Sequence, residues 1–374
     1  MIGALASEVL TAREAEFVTL QTQHGGYWRH GFVDHAYLYN LHFPPESLYE
    51  RFGERIHELV LNYPSAQHVL TGLVGSLIGQ PADRLVVGNG AAELIKILCG
   101  SVASTLIVPV PSFNEYANAV PEGRVVEFVL SAPGFELDVE RFAAEAIACG
   151  ADVAVVVSPN NPTSLMVPRA ELLRLLGLLD GHGCTLVVDE SFIDFADAGA
   201  AESLENDVAR FPHLAVMKSM SKAYGICGLR IGYLLSSDPE LLGRMRDGVH
   251  IWNINGFAEE FLRLAPSLRQ DFCESCDLVR AERSALYGLL TAIPGLEVLR
   301  PAANFLFCRL PSGAPSAAEV ARRLFVDDYI LVKSCEGKTM IDGCRYLRIA
   351  SRTDVENRRL AEALGRILAS GSSE

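Results

Sequence analysis

Along the middle of the chain, short continuous apolar runs alternate with stretches whose apolar residues recur every three or four positions. The runs fall at residues 85–87, 105–110, 125–130, 152–157, 185–188, 214–217 and 231–235. Most stop at serine, proline, glycine or aspartate. A run that is apolar at every position fits a strand covered on both faces. The pattern therefore predicts a mostly parallel sheet between layers of helix, with helices over 91–99 and 169–179 among them. The two ends read differently. Residues 1–43 hold an amphipathic segment and then an aromatic, histidine-rich stretch. From residue 267 onward the order is a long helix, strands at 297–300 and 305–310, a helix at 317–325, a strand at 346–349 and a terminal helix at 355–368. The expected division is a large α/β domain over 44–266 and a smaller α+β domain built from 1–43 and 267–374.

Composition narrows the function classes. At 49% hydrophobic and 21% charged, the 374 residues can bury a core, and their number exceeds what one core usually supports. Acidic residues outnumber basic ones 46 to 32, giving −14, so no basic face is expected for nucleic acid or for an anionic membrane. Residues 1–17 carry Glu8, Glu14 and Glu16 and lack a basic start before an apolar run, so no signal peptide is read there. The nine cysteines are odd in number and scattered, which fits free thiols in a reducing cytoplasm. Cys273 and Cys276 form a CxxC with no second pair, read as two thiols on a helix. His24, His30, His35 and His42 cluster without the spacing of a metal site.

Ligands of open α/β sheets sit at the carboxyl ends of the strands, so the residues after each run carry the candidate chemistry. Gly88-Asn89-Gly90-Ala91-Ala92-Glu93 opens a helix, either as a place where backbone N–H groups approach an anion or as a tight turn. It lacks the third glycine of a dinucleotide fingerprint and the lysine of a P-loop. Asp189 ends an apolar strand and needs a cationic or protonated partner there. After 214–217 comes Lys218-Ser219-Met220-Ser221-Lys222, with Arg230 eight residues later in a glycine-rich turn. Ser219, Ser221 and Arg230 can hold a phosphate, and Lys222 is placed to act as an amine nucleophile.

The segments "SPNNPTS", "VVDESFIDF" and "SMSKAYGICGLRIGYL" resemble the class I and II aminotransferases of pyridoxal phosphate (PLP) fold type I, over nearly the whole chain. Within that family they are most similar to the histidinol-phosphate aminotransferase and threonine-phosphate decarboxylase group. The resemblance implies a seven-stranded, mostly parallel sheet in the large domain, a small α+β domain and a homodimer with shared active sites. It implies that Lys222 forms a Schiff base with PLP and later shuttles the Cα proton. Asp189 would pair with the pyridine nitrogen and Asn161 would bond the cofactor's O3′. Gly90, Ala91, Ala92, Ser219 and Arg230 would cradle the phosphate, Phe113 would stack on the ring, and Tyr63 would reach the phosphate in the neighbouring subunit. Arg348 would hold a substrate carboxylate as a bidentate partner, and Asn40, in an arm similar to that of the decarboxylase branch, would help cover the substrate.

Two departures bear on the reaction. The family pattern Asp-Glu-Ala-Tyr carries a tyrosine hydroxyl that donates to O3′; here the residues are Ser191 and Phe192, which favours the decarboxylase branch. Thr163 is followed by Ser164 rather than glycine. The implied reaction is amino-group transfer on an amino acid or amino-phosphate compound, with decarboxylation of a phosphorylated or polar amino acid as the alternative. The segment 250–253 is expected to line the side-chain pocket.

Overall fold

The computed structural model describes residues 2–23, 25–120 and 124–370, so His24 lies outside the described residues. The chain divides into two units. The larger holds Tyr39–Asn161 and Leu165–Leu278; the smaller holds 1–38, Pro162–Ser164 and Val279–Glu374. These limits differ from the expected 44–266 for physical reasons. Residues 39–43 go with the larger unit because Asn40 N–H donates to the Lys222 carbonyl at 2.9 Å. The second limit falls inside one unbroken helix, Arg269–Thr291, so no linker marks it. Pro162–Ser164 goes with the smaller unit because Ser164 accepts the Ala302 N–H on its carbonyl (2.8 Å) and the Ala303 N–H on its hydroxyl (2.9 Å).

The larger unit is built on seven strands: β1 Leu85–Asn89, β2 Leu106–Val110, β3 Val125–Val129, β4 Val153–Val157, β5 Thr185–Asp189, β6 Leu214–Ser219 and β7 Ile231–Ser236. Their order is β1-β7-β6-β5-β4-β2-β3. Only β7 runs against its neighbours, β1 and β6. All five residues of β2 and of β4 are buried, as continuous apolar runs require. On one face Val153, Val155 and Val157 join Leu94, Leu98, Val108, Val187, Met217 and Met245 in one cluster. The helix Arg169–Leu179 buries Leu172, Leu175, Leu176 and Leu179, the three- and four-residue spacing of one helical face.

The smaller unit carries four antiparallel strands: β8 Glu297–Val298, β9 Phe305–Arg309, β10 Lys333–Ser334 and β11 Tyr346–Ala350, in the order β10-β11-β9-β8. The helix Ala317–Asp328 starts on Ser316, whose hydroxyl accepts the Glu319 N–H at 3.2 Å, and buries Ala317, Val320, Ala321, Leu324 and Phe325 on one stripe. The first helix, Ile2–Thr22, is not the expected amphipathic segment. Phe17 and Leu20 are buried, but Val9, Leu10 and Val18 are 42–61% exposed. No described helix is long and apolar enough to cross a membrane.

Candidate active site

Parallel β4, β5 and β6 deliver their carboxyl ends to one edge of the sheet. Val157 pairs with Asp189, and Asp189 with Met217. The antiparallel β7 brings its beginning to the same edge, since Ile231 pairs with Asn89 and Gly232 with Ser219. Arg230 therefore sits beside Gly90 and the Ser219–Lys222 turn. The loop after β2 is tied to the loop after β4: Ser112 donates to Asn160 Oδ1 and Asn160 Nδ2 donates to the Pro111 carbonyl, both at 2.9 Å. Phe113, half-buried, and Asn161, buried, follow these tied residues directly.

Asp189 is the last residue of β5 and is 3% exposed. Its Oδ1 accepts the Ser191 N–H (3.0 Å) and the Ser191 hydroxyl (2.5 Å), and its Oδ2 accepts the Tyr116 hydroxyl (2.8 Å). Burial pushes the carboxyl above the ordinary aspartate range; Ser191, Tyr116 and the Lys222 ammonium pull the other way. Tyr116 is fully buried, and burial together with the Asp189 carboxylate raises its phenol, so it remains a donor. Neither Tyr116 nor the Ser191 hydroxyl was identified from the sequence. Tyr116 lies three residues beyond Phe113 and reads as core. Ser191 was noted only as a departure from the family pattern.

Lys222 lies in the short helix Met220–Ala223, which starts as β6 ends at Ser219. The other lysine of the motif, Lys218, faces inward to Asp194 at 3.2 Å and Glu205 at 3.9 Å. Those carboxylates outweigh its desolvation and hold it protonated. Arg230 Nη1 donates to the Ser221 hydroxyl and the Cys227 carbonyl, both at 3.3 Å, and no carboxylate among the described residues pairs with it. Its carbonyl accepts the Gly90 N–H at 3.0 Å. Gly90 has φ +70°, and a Cβ there would stand 2.3 Å from Arg230 Nη2, so only glycine leaves this space open. A Cβ on Gly232 would likewise strike the Ala91 nitrogen at 2.4 Å. An uncompensated guanidinium, a hydroxyl and a helix start beginning at Gly90 fit a phosphate group. A buried acceptor surrounded by donors, with a lysine close enough to favour its charge, fits a protonated pyridine nitrogen. The residues present suit PLP.

Other expected residues are placed as follows. Ala91 is buried and Ala92 exposed in the first turn of Gly90–Ile97. Tyr63 is 77% exposed and stacks on Trp252 with centroids 4.2 Å apart. Asn40 differs from the expectation of a substrate-covering residue. Its Nδ2 donates to the Ala223 carbonyl (2.9 Å) and the Ser275 hydroxyl (2.8 Å), and its Oδ1 accepts the His42 N–H (2.9 Å). With its amide spent inside the protein, Asn40 clamps the backbone around Lys222. Asn253, expected at a side-chain pocket, is instead bonded to the Val87 carbonyl, Glu93 and Gln67. In the smaller unit, Arg348 donates to the Ala36 carbonyl at 2.6 Å and stands opposite Lys333 across the β10–β11 ladder. Burial holds the guanidinium of Arg348 below its ordinary value. His35 Nδ1 lies 2.8 Å from the Ala350 carbonyl, and burial lowers that ring to about 4. Among the described residues no group of three or more His, Cys, Asp or Glu could hold a metal.

The sequence model of the family "Aminotransferase class I and II" matches residues 36–364. The chain belongs to this family. The family depends on PLP. The chain is 45% identical to the CMP-5′-(3-aminopropyl)phosphonate synthase of Streptomyces rubellomurinus, over 93% of this chain and 55% of that protein. It thus spans only about half the length of that relative. It is 31% identical to an L-serine phosphate decarboxylase of Campylobacter jejuni, covering 82% of this chain and 79% of the relative. Its fold matches the crystal structure of the histidinol-phosphate aminotransferase from Clostridium acetobutylicum, with TM-score 0.82 and 24% identity, over 90% of this chain and 99% of that one.

Proposed function

We propose that the chain is a PLP-dependent enzyme that releases the carboxylate of a phosphate- or phosphonate-bearing amino acid as CO2. The observation that carries the cofactor reading is the sheet edge that sets Asp189, Lys222, Ser221, Arg230 and the Cβ-free Gly90 side by side. PLP, when bound, supplies a ring that accepts electrons from a substrate carbon. The chain's own residues then have clear tasks. Asp189, held by Ser191 and Tyr116, holds a proton on the ring nitrogen. Arg230, Ser219 and Ser221 would hold the phosphate, Phe113 would lie against the ring, and Asn161 would donate to O3′. Lys222 would give a proton to the substrate carbon from which CO2 has departed.

The substrate class rests on charge. Lys333 and Arg348 are direct cross-strand partners, with the Asp34 carboxylate also acting on Arg348, and two cations so placed suit a bound anion. Burial and Arg348 together hold the Lys333 ammonium below its ordinary value. A substrate carboxylate or phosphate is the kind of anion that pair would hold. Decarboxylation is favoured over the amino-group transfer implied by the family because Phe192, buried and without a hydroxyl, stands where the aminotransferase pattern has tyrosine. The named activity of the serine-phosphate relative supports the same choice, and the name of the phosphonate relative supports a phosphonate-bearing compound. Incubating the protein with PLP and O-phosphoserine or an amino acid phosphonate tests it. CO2 released in step with an amine is expected. A keto acid without CO2, leaving the cofactor in its amine form, establishes transamination instead.

The proposal extends to a homodimer in a reducing, cytoplasmic setting. Tyr49, Ile56, Val60, Leu61, Tyr63 and Ile251 are 52–77% exposed, an apolar surface of the kind that copies cover, and all nine cysteines are free.

A further inference from the structure

Asp189 is held by more than burial. A carboxylate offers about four lone-pair positions. Ser191 fills two at Oδ1, through its N–H at 3.0 Å and its hydroxyl at 2.5 Å, and Tyr116 fills one at Oδ2. One position on Oδ2 is left. The direction of the Ser191 bond is fixed from the other side. The Ser219 N–H, which can only donate, donates to the same Ser191 oxygen at 2.9 Å, so the serine proton goes to Asp189. Ser219 ends β6 and directly precedes the helix that carries Ser221 and Lys222. One 6%-exposed hydroxyl thus joins the acid at the end of β5 to the lysine-bearing turn at the end of β6.

We propose that Ser191 is a positioning residue for the cofactor's ring nitrogen: its hydroxyl keeps Asp189 ionised and turned so that the remaining Oδ2 lone pair meets the nitrogen's proton. This rests on the PLP reading above. The bond to Asp189 acts on the ring nitrogen alone, whereas the bond accepted from the Ser219 N–H reaches the phosphate turn and bears equally on any cofactor that carries the phosphate. Tyr116 holds the second oxygen in place, so loss of the Ser191 hydroxyl makes the ionised form of Asp189 less favourable without opening the site.

The test compares PLP with its analogue in which the ring nitrogen is replaced by C–H. Both are titrated into the cofactor-free full-length protein. The wild type is expected to bind PLP more tightly than the analogue; a wild type that binds neither refutes the PLP reading itself. Ser191→Ala is expected to raise the Kd for PLP about tenfold more than that for the analogue, the loss of one charge-assisted hydrogen bond, with any loss of the Ser219 contact shared by both. Ser191→Thr, which keeps the hydroxyl, is expected to restore PLP binding. If Ser191→Ala does not fold, Ser191→Cys, close in volume and a weaker donor, takes its place with the same expected selectivity. Equal weakening of PLP and the analogue, or no weakening of either, overturns the proposal.

Discussion

The two lysines of the motif, four residues apart, show how much a residue's environment decides. Both sit where β6 ends, yet Lys218 is locked between Asp194 and Glu205, while Lys222 lies on the side of Asp189. A lysine held protonated by two carboxylates is a poor nucleophile, because only the neutral amine attacks. Borohydride reduction of the PLP-loaded protein, followed by peptide mapping, should therefore place the adduct on Lys222, and Lys222→Ala should abolish the bound cofactor's absorbance band. An adduct on Lys218 or Lys96 would overturn the assignment. Much of this was legible in the sequence. Asp189 ends a strand, Lys222 follows one and Arg230 directly precedes the next, and these ends converge in this topology. What stayed hidden depended on pairing across the sheet. Nothing in the order of residues tells Tyr116 from a core aromatic. Asn40 looks exposed to ligand until its amide is seen bonded to Ala223 and Ser275.

At the scale of elements, the strands were legible because a run buried on both faces has no polar positions to blur its limits. Their ends were less so. β5 and β6 run on to Asp189 and Ser219 because the ladder pairs backbone, whatever the side chain. The turn after β4 shows what a departure from glycine costs. Ser164 is fully buried with φ +61°, a conformation that strains a residue bearing a Cβ by about 1 kcal/mol or more. Its hydroxyl offsets this by accepting the Ala303 N–H at 2.9 Å. Ser164→Ala keeps the strain and strands a buried donor, so it should lower stability by about 1–3 kcal/mol. Ser164→Gly relieves the strain while losing the same bond, so it should cost less. Denaturant unfolding of the three proteins checks the order; alanine as stable as glycine would contradict the account.

Across the whole molecule, two properties reach beyond single contacts. The first is assembly. If Tyr63, exposed and stacked on Trp252, serves the partner's cofactor, each site needs residues from both copies. Tyr63→Ala and Lys222→Ala should then be inactive alone and regain activity when mixed, because one site in the mixed dimer is intact. Confirmed subunit exchange without recovered activity would exclude sharing. The second is the response to pH. Glu190, next to Asp189 and 1% exposed, accepts the Ser203 hydroxyl (2.6 Å) and the Leu204 N–H (2.7 Å). Burial first, then Glu205, raise its carboxyl from 4.5 to about 7, against the pull of Lys218 and of its two hydrogen bonds. The folded protein therefore binds this proton more tightly than the unfolded chain does. The resulting stabilisation is complete below about pH 4.5 and is lost as pH rises through about 7. At about 1.4 kcal/mol per pKa unit it amounts to about 3 kcal/mol at most. Glu190→Gln keeps the shape and an acceptor for Leu204 but cannot ionise. The stability of the variant relative to the wild type should rise from pH 5 and level off above about pH 7 in parallel unfolding titrations. A difference independent of pH would show that Glu190 is already ionised throughout, its charge met by Lys218.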